Sequence, residues 1–165
     1  MNLNRNPKPR YEVLAYDGQT ITSKTVTHEQ VTVINHQSAD YFLSPVFGIW
    51  AFRTKDDEWI EHRGADWPGL GDVCIRIVQA VQLNPGEFLT PTEIAELTGR
   101  PTLRENNALS ARLMAIRRAH KESYEKPHFF LSRKAGGFAI AWNPQCAWMW
   151  IERIPPAIGV TEQSE

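Results

Sequence analysis

The stretch RENNALSARLMAIRRAHKESYEKPHFFLSRKAGGFAIAW, residues 104–142, decides the fold. Leu109, Leu113 and Ile116 recur at spacings of four and three, with His120 near the end of the same stripe. The segment from about Arg104 or Glu105 to about Glu122 is therefore expected to be a helix with one apolar face. Its opposite face collects Asn107, Ser110, Ala111, Met114, Arg117, Arg118 and Lys121. After Lys126-Pro127 come two apolar and aromatic runs, 128–132 and 138–142, joined by Arg133-Lys134-Ala135-Gly136-Gly137. This pattern reads as a β-hairpin with a basic, glycine-containing tip.

Working backward, Thr90-Pro91-Thr92-Glu93 carries the signals of a helix start. Thr90 is the N-cap, Pro91 the first helical residue, and Glu93 completes a capping box. Ile94, Ala95 and Leu97 supply the inner face of this short helix, and Gly99 with Pro101 ends it. An earlier helix is expected from Asp72, read as its N-cap, with Val73, Ile77, Val78 and Val81 facing inward and Asn84-Pro85-Gly86 as its stop. Phe88-Leu89 is a short extended piece between the two. Before residue 66 the period changes to that of strands. Residues 11–16 end at the turn signal Asp17-Gly18, and residues 20–27 return antiparallel to them. Residues 29–35 are a further strand candidate, and 49–53 with 58–62 form a hairpin.

The expected organisation is a flexible basic arm over residues 1–10, a β-rich section over 11–65, a helical and hairpin unit over 66–154, and a flexible tail over 155–165. The fold class is α+β: three helices and a hairpin in the order of a winged helix-turn-helix, preceded by a small antiparallel β-sheet. In that arrangement the third helix enters a major groove and the hairpin wing touches the phosphate backbone.

The charge distribution agrees. The chain has 165 residues and a net charge of -1, a balance that by itself argues against a polyanionic partner. Resolved along the chain, residues 100–134 carry nine basic and three acidic side chains, whereas residues 11–99 carry five basic and thirteen acidic ones. The basic island coincides with the third helix and the hairpin, which is where phosphate contacts require it.

Residues 71–142 resemble the winged-helix output domains of response regulators of the OmpR and PhoB type. The resemblance rests on the run from Ile75 to Thr90 with its Asn-Pro-Gly stop, on Leu113-Met114-Ala115-Ile116-Arg117-Arg118, and on Phe129 to Ser132 with Ala135-Gly136-Gly137-Phe138. It covers less than half of the chain, and the residues before the Pro- and Gly-containing link 66–71 lack the alternating βα pattern of a receiver domain. The resemblance implies a DNA-binding module without phosphorylation control.

Cys74 and Cys146 lie apart in apolar surroundings, and the five histidines are scattered, so no metal spacing arises. Nucleotide and hydrolase motifs are absent from the sequence. No run reaches the length of a membrane span. The sequence thus leads us to expect a cytoplasmic, sequence-specific double-stranded DNA-binding protein, a transcriptional regulator and not an enzyme, with no cofactor and no metal. Its expected DNA contacts are Asn107, Ser110, Ala111, Met114, Arg117, Arg118 and Lys121 on the helix and Arg133 and Lys134 on the hairpin. The alternative is a winged-helix adaptor binding a protein, or a homodimer, through the β-rich section or the Trp-rich strand around Trp148 and Trp150.

Overall fold

The computed structural model describes residues 8–64 and 71–154; the expected arm and tail lie almost wholly outside the described residues. The chain is a mixed α+β protein built on a six-stranded sheet. β1 (Arg10–Tyr16) and β2 (Ile21–Thr27) form an antiparallel hairpin. Its turn is held by the Asp17 carboxylate, which accepts the backbone N–H groups of Gln19 and Thr20, and by Gly18 at φ 100°. β3 (Tyr41–Ser44), β4 (Ile49–Arg53) and β5 (Trp59–Arg63) form a meander. The last strand, β8 (Trp148–Arg153), lies between the two groups, antiparallel to β1 and parallel to β3. The resulting order is β2-β1-β8-β3-β4-β5.

Between β5 and β8 the chain forms α2 (Asp72–Gln82), α3 (Pro91–Thr98), a 3-10 turn (Pro101–Arg104), α4 (Asn106–Ala119) and a separate hairpin of β6 (Phe130–Arg133) and β7 (Ala139–Trp142). Leu89 bridges to Ile140, so the extended piece between α2 and α3 lies against the hairpin.

Strand alternation sorts the sheet's side chains onto two faces. Tyr16, Tyr41, Leu43, Trp50, Phe52, Trp148 and Trp150 point toward the helices and join Ile77, Ile94, Leu109, Leu113, Ile116 and Trp142 in the larger core. Tyr11, Val13, Phe42, Ala51 and Ile151 point the other way, into a smaller core with Val26 and Val31. The tryptophans of β7 and β8 are buried with their N–H groups satisfied: Trp142 donates to the Cys146 carbonyl at 2.8 Å, Trp148 to the Gln82 carbonyl at 2.9 Å, and Trp150 to the Gln82 side chain. A Trp-rich strand is thus an interior strand here, because each indole finds an acceptor.

Several boundaries differ from the sequence reading. Residues 29–35 are not a strand. The segment His28–Val31 is a short helix, α1, because Thr27 and Gln30 form a reciprocal capping box. The N-cap of α2 is Gly71 and not Asp72; the Asp72 carboxylate instead receives Arg76 at 3.1 Å and Arg100 at 2.7 Å, tying the start of α2 to the end of α3. The α4 helix ends at Ala119, and Lys121 follows in the left-handed region at φ 59°. Arg10, placed in the arm, begins β1. The end signals of α3 agree with its structure: Thr90 and Glu93 close the capping box, Pro91 is the first residue, and Gly99 at φ 67° ends the helix; Leu97, assigned to the inner face, is exposed, and Thr98 is buried in its place.

Candidate nucleic-acid interface

α4 is amphipathic by construction. Leu109, Leu113 and Ile116 are buried against the core, and its exposed side carries Asn106, Asn107, Ala111, Arg112, Met114 and Arg118, with Ser110 half-buried. The helix contains no acidic residue. Among the described residues, none bonds the side chains of Asn107 or Ser110, so their polar groups face solvent.

Two of the expected contact residues are placed otherwise than the sequence suggested. Arg117, assigned to the outer face, is only 6% exposed. Its guanidinium donates to the Phe130 carbonyl at 2.8 Å and the Ser132 hydroxyl at 3.0 Å, and lies 3.9 Å from the Glu122 carboxylate. It fixes the hairpin to the helix instead of offering a charge to a ligand. Glu122 is equally enclosed and accepts the backbone N–H groups of His128, Phe129 and Phe130. Burial raises its carboxyl above the usual range, against those three donors and Arg117, which pull it back. Lys121 is exposed but sits past the end of the helix, off the stripe that periodicity assigned to it.

The hairpin tip divides its two cations. Lys134 leans over the Tyr124 ring, 5.1 Å from its centroid, whereas the Arg133 guanidinium lies 5.4 Å from the centroid of Phe88. Lys134 accordingly faces α4, and between them runs a groove of about 510 Å³ lined by Ser110, Met114, Arg118, Tyr124, Lys134 and Phe138, among others. A second hollow of about 380 Å³ at the start of α4 shares Ser110, Lys134 and Phe138 with it and adds Asn106 and Asn107. The two make one concave strip along the helix and the hairpin. Tyr124 and Phe138 were not found by sequence reasoning. Tyr124 sits in an irregular connection, where no period marks which way a side chain turns.

Several cations outside this strip are paired. Lys8 pairs with Glu29, Arg53 with Asp40 and Asp57, Arg63 with Glu61, and Arg76 and Arg100 with Asp72. Among the described residues, Arg118, Lys121, Arg133 and Lys134 form no ion pair.

Other chemistry finds less support. Cys74 and Cys146 are buried and reduced, and burial pushes the Cys146 thiol up to about 12, away from the reactive thiolate. His120 is fully enclosed: its Nδ1–H donates to the Ile116 carbonyl at 2.6 Å, and its Nε2 accepts the Tyr41 hydroxyl at 2.7 Å, which in turn accepts the Trp50 N–H. Desolvation holds its pKa down to about 3, so it stays neutral. Among the described residues no group of three or more His, Cys, Asp or Glu could hold a metal ion, and no helix is long and apolar enough to cross a membrane. Comparison of the chain with protein-family models, with curated proteins and with solved structures finds no match.

Proposed function

We propose that the chain is a sequence-specific double-stranded DNA-binding protein, a transcriptional regulator, whose residues 71–142 act as a winged helix-turn-helix. In this reading α4 enters the major groove, about 12 Å wide and able to admit one helix, and the β6–β7 hairpin is the wing. The observation that carries it is the gathering of cations without an ion pair among the described residues on an acid-free helix and the adjoining hairpin, with Arg118 and Lys134 lining one groove. Unpaired, solvated cations release phosphate counterions on binding without first breaking an internal ion pair. The order helix, bridging strand, helix, turn, helix, hairpin supports the same reading.

The contact set is Asn107, Ser110, Ala111, Met114 and Arg118 on α4, with Lys121 just beyond it and Lys134 on the wing; Arg133, turned onto Phe88, is secondary. Arg117 is a positioning residue. The test is a fluorescence-anisotropy titration of duplex DNA over a salt series. Each phosphate contact contributes about -0.9 to the slope of log K against log salt, so Arg118→Ala with Lys134→Ala flattens it by roughly 2. No duplex affinity, or a slope unaltered in the double variant, overturns the proposal.

One observation favours a second reading. Met114 is 59% exposed and Tyr124 54% exposed beside the same groove, which also suits a partner protein's apolar side chain. A co-purifying partner together with no measurable duplex affinity would select that adaptor reading.

A further inference from the structure

We infer that the α4 face reads A·T base pairs in the major groove, with Asn107 set for adenine and Ala111 and Met114 for the thymine methyl group. The inference rests on the DNA-binding reading above. Asn107, Ala111, Met114 and Arg118 follow one another at spacings of four, three and four, which places them on a single stripe of the helix. All four are exposed. A recognition helix presents its N-terminal residues to base edges, so the first three meet bases and Arg118, at the far end, meets the backbone.

The chemistry of that stripe is selective. In the major groove, guanine is read chiefly by Arg or Lys on O6 and N7, adenine by Asn or Gln on N6 and N7, and the thymine C5-methyl by apolar side chains. Nothing cationic stands on the stripe before Arg118. Arg104 lies in the preceding 3-10 turn, and Arg117 is buried under the hairpin. Asn107 has both an amide donor and a carbonyl acceptor free, as adenine requires. Met114, 59% exposed, and Tyr124, 54% exposed, line the same groove, so the flexible thioether belongs to a small apolar spot suited to a methyl group. Charge complementarity commits the occupant to a polyanion: Arg118 at the end of the stripe and Lys134 beside it line the groove and form no ion pair among the described residues.

The experiment uses the full chain and three duplexes of equal length: mixed A·T sequence, the same sequence with every thymine replaced by uracil, and mixed G·C sequence. Wild type is expected to prefer A·T over G·C by about tenfold per adenine contact. Removal of the methyl group should cost about fourfold for each thymine touched. Met114→Ala should shrink the thymine-over-uracil difference to what Ala111 supplies while keeping the salt slope, and Asn107→Ala should lower the A·T preference by about tenfold per adenine contact, to what the methyl contacts supply. Equal affinity for A·T and G·C with a normal salt slope overturns this inference and leaves the DNA-binding reading standing. Absence of binding to all three overturns both.

Discussion

The inner and outer sides of α4 carry the same kinds of polar side chain in opposite circumstances. Arg117 and His120, turned inward, bond within the chain: the Arg117 Nη2 donates to the hairpin carbonyl and Ser132 while its Nε lies 3.9 Å from the Glu122 carboxylate, and His120 bonds Tyr41 and the Ile116 carbonyl. Arg118, one residue along, and Asn107 and Ser110 on the outer side have nothing within the described protein to bond. Buried polar groups without partners are costly, and exposed ones are not. The inward set is therefore structural, and the outward set is available to a ligand.

The comparison breaks most visibly at the buried ion pair. Arg117→Ala leaves the Glu122 carboxylate enclosed without its cation and is expected to destabilise the fold by about 3–5 kcal/mol in urea denaturation. A cost below about 1 kcal/mol would mean that Arg117 is not the buried tie described here. Next comes acid. His120 is held neutral to about 3, whereas unfolded histidine titrates near about 6.5, so the unfolded chain gains a proton that the native one refuses. Stability is therefore lost as pH falls. Because Glu122, raised by burial, works in the opposite sense, the measurement is a difference: between about pH 7 and about pH 5, wild type should lose about 2 kcal/mol more than His120→Gln.

Tyr41→Phe deprives Trp50 and His120 of their shared hydroxyl and should cost about 1–3 kcal/mol, read from the urea midpoint. Thr90→Ala removes the α3 cap, at about 1 kcal/mol by the same assay. Smallest on stability, and the sharpest contrast with its neighbour, is Arg118→Ala: a change within about 0.5 kcal/mol, with duplex affinity reduced. A large stability loss there would erase the distinction between the two sides of the helix.

Much of this was legible in the chain. The capping box at Thr90 and Glu93, the Gly99 stop, the apolar stripe of Leu109, Leu113 and Ile116, and the two hairpin runs around Gly136 and Gly137 are local signals, and the elements stand where those signals place them. The segment after Thr27 reads as a strand from its β-branched residues Val31, Thr32, Val33 and Ile34, and it is the Thr27–Gln30 capping box of the structure that makes it a short helix. β3 was missed, since a strand buried along its whole length shows no alternation. At the candidate interface, the exposure of Asn107, Ala111, Met114 and Arg118 was legible from helical spacing. Arg117 was misjudged because it lies at the edge of the outer arc, where the packed hairpin and not the period decides exposure. Tyr124 and the inward turn of Lys134 had no sequence signal.

The amino-acid sequence by itself determined the order of elements from α2 to the β6–β7 hairpin and the segregation of charge, because caps, turns and hydrophobic periods act over a few neighbouring residues and charge is additive along the chain. Only the tertiary structure decided that β8 closes the sheet between β1 and β3, that Arg117 is enclosed while Arg118 is free, and that Lys134 and Arg133 face different rings. Those outcomes depend on which distant surfaces meet, and burial, which sets both the cost of a charge and its availability, is a property of the packed whole.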